Sequence, residues 1–191
     1  MPRNDVTEYL VHWTKGASYD EAFEILRSIV FEQRLLGGNG DIKGGFLCVC
    51  FTEAPIDQFH RVLSRYKPFG ICVSKEWAFS QGGRPAIYQP NADYQLLPDE
   101  LKWRHMRYEL GGESPVDFCW EREWRIKTEE LHLPPEEVVV ILPSSDWAHM
   151  LEIEHHNKEE DRIYMEEITY GDWAAYQSPE PFHYGYSIMN V

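Results

Sequence analysis

The chain has 191 residues, a formal net charge of −14, 43% hydrophobic and 14% aromatic residues. That length and composition predict one folded domain with a real core and exclude a disordered chain. An acidic balance disfavours broad binding to a phosphate backbone.

The predicted elements run in chain order from a first strand, Tyr9 to Thr14. Ser18 and Glu21 read as a capping box that opens an amphipathic helix through about Glu32, with Ala22, Phe23, Ile25, Leu26 and Ile29 on its apolar side. Gly37 to Gly45 is a glycine-rich loop without the phosphate-loop pattern, placed at a cleft rim where such loops close over ligands. Phe46 to Thr52 reads as a buried strand, Pro55 to about Ser64 as a short helix, and Phe69 to Ser74 as a second buried strand. Lys75 to Ser80 is a helical turn ended by Gly82 and Gly83, and Pro85 to Gln89 is short and extended. Pro98 starts a helix over Asp99 to Tyr108. Its segment Trp103 to Tyr108 mixes cations with aromatics, which suits either stacking on bases or a helix with one wet face. Cys119 to Lys127 reads as a strand, Val138 to Leu142 as the central one, and Ser144 to about His155 as a helix. The aromatic tail (Tyr164, Tyr170, Trp173, Tyr176, Phe182, Tyr184, Tyr186) packs against the rest. This order predicts α+β architecture, a mixed sheet with flanking helices.

No run of about 18 apolar residues exists to span a membrane, and the N-terminus lacks the apolar core of a signal peptide. Cys48, Cys50, Cys72 and Cys119 lack disulfide or zinc spacing and read as reduced residues of a cytoplasmic protein.

The most telling stretch is Trp120-Glu121-Arg122-Glu123-Trp124-Arg125-Ile126. On a strand, Glu121, Glu123 and Arg125 share one face and Trp120, Arg122, Trp124 and Ile126 the other. Two carboxylates two residues apart repel and resist desolvation. They suit a site that stabilises positive charge or orients a hydroxyl-rich ligand, or else a solvated face neutralised by Arg122 and Arg125. Such a site is expected to bury Glu123 and leave Glu121 more exposed. A glycosidase pair is the weaker possibility, since neighbours on one strand cannot flank a sugar from two sides.

Four segments in order carry a resemblance: Val11-His12-Trp13-Thr14, Cys50 to Pro55, Tyr66 to Tyr88, and Glu121 to Arg125. Over roughly Tyr9 to Ile126 the chain resembles the abortive-infection AbiGi family of phage-defence proteins. More distantly it resembles the DarT-type ADP-ribosyltransferases. The resemblance implies an ADP-ribosyltransferase-like fold with NAD as substrate. His12 then meets a ribose hydroxyl, with Thr14 beside it. Phe51 and Thr52 border the nicotinamide pocket. Tyr88 stacks on nicotinamide, with Trp77 and Tyr66 as rivals. Glu123 is the catalytic glutamate and Glu121 engages the acceptor. The DarT-type enzymes place an arginine in the segment matching Thr52 to Pro55, where this chain has Glu53. Either Arg84 supplies that cation or the fold has lost its activity. At least one of Arg84, Arg104, Arg107 and Arg122 is expected to face the His12–Glu123 cleft. The charge favours a different class, a noncatalytic acidic antitoxin or inhibitor that binds a protein partner.

Overall fold

A computed structural model describes residues 7–40, 42–53, 66–111, 114–171 and 177–189. The helix expected from Pro55 to Ser64 lies outside them, as do Trp173 and Tyr176.

Seven strands form one mixed sheet: β1 (Tyr9–Trp13), β3 (Cys48–Thr52), β4 (Gly70–Ser74), β5 (Arg84–Pro85), β8 (Glu123–Lys127), β10 (Val138–Leu142) and β11 (Gly185–Ile188). Their order across the sheet is β11-β10-β4-β1-β3-β8-β5. Only β10 and β11 run parallel; every other neighbouring pair is antiparallel. Two small ribbons flank it, β2 (Arg34–Leu36) with β9 (Glu130–His132), and β6 (Ile87–Gln89) with β7 (His105–Arg107). The α+β expectation stands in this form.

The main core covers one face of the sheet. Leu10, Val49, Phe51, Ile71, Val73, Ile126 and Val140 meet Phe23 and Leu26 of α1 (Tyr19–Glu32), Trp77 of α2 (Lys75–Ser80), and Ala148 and Leu151 of α3 (Ser145–Tyr170). Trp77 is therefore a core residue. α1 forms as its caps direct. Ser18 accepts from the Glu21 N–H, the Glu21 carboxylate accepts from the Ala17 N–H, and Gln33 closes the helix with φ 52°. Val30, not Ile25, completes the buried stripe; Ile25 is exposed. Tyr184 is buried and its hydroxyl donates to the Leu133 carbonyl, so part of the aromatic tail packs as expected. Tyr164 and Tyr170 stay exposed on α3.

Gly37 brings the glycine-rich loop against the sheet. A Cβ there would stand 2.1 Å from the Thr128 carbonyl oxygen, and the next residue bridges to Cys48. All four cysteines are free thiols, with Cys119 exposed and Cys48 and Cys72 buried. Among the described residues no helix is long and apolar enough to cross a membrane.

Four expectations change: β10 lies next to the edge of the sheet and β1 is its central strand, and α3 runs on past His155 to Tyr170. The span Asp99 to Tyr108 is a 3-10 segment, Asp99–Arg104, followed by β7. The span Cys119 to Lys127 is a 3-10 turn, Cys119–Glu121, then Arg122 at φ 45°, then β8. That left-handed residue breaks the alternation, so Glu121 and Glu123 are not successive residues of one strand face.

Candidate functional site

A cavity of about 650 Å³ opens beside β1, β3 and β8. Its size falls in the range of small-molecule sites, roughly 300–1,000 Å³. The register explains how it forms. β3 and β8 share five paired positions from Cys48↔Lys127 to Thr52↔Glu123, whereas β1 and β3 share only Val11↔Thr52. The sheet parts between β1 and β3. The cavity takes lining from both sides of β3, Cys48, Cys50 and Thr52 as well as Val49 and Phe51.

His12 sits at this split. Its Nδ1 is 2.8 Å from the Cys50 carbonyl oxygen, and its ring meets Phe51 edge-on. A carbonyl only accepts, so Nδ1 carries the proton and Nε2 keeps its lone pair. Burial pushes the pKa of His12 below its ordinary value, against that hydrogen bond and with help from the Lys15 charge, which favours the neutral ring. His12 and Glu123 border the same cavity. By register they approach it from opposite faces of the sheet, His12 with Phe51 and Glu123 with Thr52 and Val11. The expectation that His12 and Glu123 face one cleft from the same side of the sheet therefore fails; what they share is the lining of the cavity at the split.

Glu123 is held on three sides. Its carboxylate Oε1 accepts from Arg125 Nε at 2.6 Å. The Cys50 thiol stands beside the carboxylate and is pushed far above its ordinary range, first by burial and then by the Glu123 charge. The Glu123 backbone N–H donates to the Tyr88 hydroxyl at 2.7 Å. Arg125 is 1% exposed and also donates from Nη1 to the carbonyls of Trp103 and His105, at 2.9 and 2.8 Å. Burial lowers its pKa, but the Glu123 charge and hydrogen bond outweigh that and leave it raised. Arg125 is thus the buried cation of the site. Its place among charged residues in an alternating stretch marked it only as a neutralising partner.

Glu121 is 8% exposed and Glu123 7%, so the expectation that Glu121 is the exposed member fails. Both border the cavity. The 3-10 turn tucks Glu121 inward, and its carbonyl accepts from the Thr52 hydroxyl and the Glu53 N–H. Thr14 and Thr52 both border the cavity, and Thr14 donates its hydroxyl to the Phe69 carbonyl.

Tyr88 and Arg84 do not border the cavity. Tyr88 anchors the Glu123 backbone instead. The Arg84 guanidinium stacks on Phe79 and donates to the carbonyls of Phe79 and Gly83. Of the four arginines expected to supply a cleft cation only Arg107 lines it, and Lys15 joins it there. Tyr66, Phe118 and Trp120 are among the aromatic residues that line it, and Gly38 and Gly40 bring the glycine-rich loop to its lining. Glu53 serves the fold. It accepts from Trp124 Nε1 at 2.9 Å and pairs with Lys75 at 2.6 Å.

Among the described residues no cluster of three histidine, cysteine or carboxylate side chains is arranged to hold a metal ion. In comparisons with known proteins the chain matches no family model, no curated protein and no solved structure.

Proposed function

We propose that this chain is an ADP-ribosyltransferase-like protein that takes NAD as substrate, in phage defence or toxin–antitoxin conflict inside the cytoplasm. The observation that carries the reading is that His12, Glu121 and Glu123 border one cavity around the split in the sheet. The resemblance named above assigns roles to the same three residues.

The chemistry asks for what the residues supply. Cleaving the bond between ribose C1′ and nicotinamide builds positive charge on the ribose, and the electron pair leaves with nicotinamide. A nucleophile then bonds to C1′ and loses its proton. Glu123, fixed by Arg125, offers a preorganised negative charge to the developing cation, an interaction worth on the order of 3 kcal/mol. His12 Nε2 accepts from a ribose hydroxyl, because Nδ1 is committed to Cys50. Tyr66 or Trp120 offers an aromatic face for nicotinamide in place of Tyr88. Lys15 is the cation for the diphosphate, since Arg107, which lines the cavity with it, is paired with Glu109. Glu121, which the resemblance assigns to the acceptor, draws the proton from the acceptor nucleophile.

The charge of −14 favours the second reading, an acidic antitoxin or inhibitor bound to a protein partner. Calorimetric titration of NAD into wild type and Lys15→Gln separates the two. The enzyme reading expects saturable binding, with the Lys15→Gln loss larger at low salt than at high salt. No binding to wild type at millimolar NAD overturns it in favour of the acidic partner protein.

A further inference from the structure

Five arginines of this acidic chain, Arg27, Arg34, Arg107, Arg125 and Arg162, are paired with glutamates. Arg84 and Arg104 are not: among the described residues neither has a carboxylate within 4.0 Å. Instead both donate to carbonyls, Arg84 to those before the edge strand β5 and Arg104 to one within it. Arg84 lies 3.8 Å from the Phe79 ring centroid and donates from Nη1 to Gly83 at 2.6 Å. Arg104 donates from Nε to the Pro85 carbonyl at 2.9 Å. Arg84 keeps Nε and Nη2, and Arg104 both Nη groups, without a hydrogen bond to any described residue.

The carbonyls that hold the two guanidiniums belong to Gly83 and Pro85, the residues on either side of Arg84, so the two charges are fixed at the same short stretch of chain and repel; burial followed by the Arg84 charge holds the Arg104 pKa below its ordinary value. A chain with 32 acidic residues has ample means to neutralise such a pair. Left open at this edge, the pair presents fixed N–H donors and two positive charges to an anion from outside.

We propose that Arg84 and Arg104 form an oxyanion site for a phosphate monoester group, separate from the cavity. A carboxylate is satisfied by one guanidinium fork and neutralises one charge. A phosphate monoester carries about −1.5 to −2 at pH 7 and presents three acceptor oxygens, which match two forks. A diester has one charge and two free oxygens. Neither arginine borders the cavity, so the site does not depend on NAD binding there. The same group is found on inorganic phosphate and at the end of a nucleotide.

The test follows the arginine Nε–H resonances of the full chain, labelled with nitrogen-15, during titration with inorganic phosphate, AMP and cyclic AMP against chloride of equal ionic strength. The signals of Arg84 and Arg104, assigned by their loss in Arg84→Gln and Arg104→Gln, are expected to shift saturably with phosphate and AMP. Each glutamine variant is expected to bind phosphate at least about tenfold more weakly, and Arg84→Lys to fall between. AMP binding without inorganic phosphate binding would assign the group to the nucleotide, and both binding alike to the phosphate alone. Cyclic AMP binding as tightly as AMP would overturn the monoester assignment. Equal shifts with chloride, unchanged affinity in both glutamine variants, or shifts confined to Arg107 would overturn the site.

Discussion

Arg125 Nε stands 2.6 Å from Glu123 Oε1, in a pair nearly closed to solvent at the wall of the cavity. Breaking a buried pair from one side leaves the other charge without compensation. Arg125→Met is expected to cost about 3–5 kcal/mol of stability. Adding Glu123→Leu removes the stranded carboxylate, so the double variant is expected to recover about 1–3 kcal/mol against the sum of the singles. Urea unfolding of the four proteins measures this; additive losses would mean the two side chains do not depend on each other.

His12 and His105 both have pKa values below 6.5, chiefly through burial. A histidine whose folded pKa is depressed binds more protons when unfolded. Its stabilisation is complete above the unfolded pKa near 6.5 and is lost as pH falls below it. Stability is therefore expected to decline between about pH 7.5 and 5.5, above the range of ordinary carboxylates. His12→Asn should flatten part of that decline. An unchanged slope in this variant would place the His12 ring in solvent.

Burial raises the Cys72 thiol to about 11 and pushes Cys50 far higher, while Cys119 is exposed. A thiol reagent is expected to titrate one cysteine quickly in the native protein and four in denaturant. Cys119→Ser should remove the fast phase. A second fast thiol would show that the cavity wall at Cys50 opens readily.

Glu53 faces Trp124 and Lys75, not the cavity. Replacing it by arginine, the residue expected from the DarT-type pattern, deprives the indole N–H of its acceptor and sets two cations together. The substitution is expected to cost about 2 kcal/mol and to leave NAD affinity no higher. Tighter NAD binding in Glu53→Arg would show that this position reaches the ligand after all.

The sequence made β3, β4, β10 and the start of α1 legible because each has an unbroken apolar run or a side-chain cap. It misled where one backbone angle decided the outcome. The alternation from Trp120 to Ile126 has the period of a strand, yet Arg122 takes a left-handed conformation without a glycine or asparagine to mark it. That turn buries Glu121 and reduces the strand to Glu123–Lys127. α3 runs on to Tyr170 because no glycine or proline interrupts it before Gly171. His12, Thr14, Thr52, Glu121 and Glu123 were found from motif order, and all five border the cavity. Lys15 and Arg125 were missed as site residues. Their roles depend on which strands neighbour them, and pairing between distant segments is not written in local pattern.

In the proposed function Glu123 stabilises positive charge on a ribose of bound NAD. The direct measurement is nicotinamide release from NAD by wild type and by Glu123→Gln, with calorimetric NAD binding to both. Wild type is expected to release nicotinamide, and Glu123→Gln to release it about 10²–10³-fold more slowly. NAD affinity should stay within severalfold, because the lost charge acts on the transition state more than on the bound substrate. Equal rates in the two proteins, or no nicotinamide release by wild type, would contradict the account.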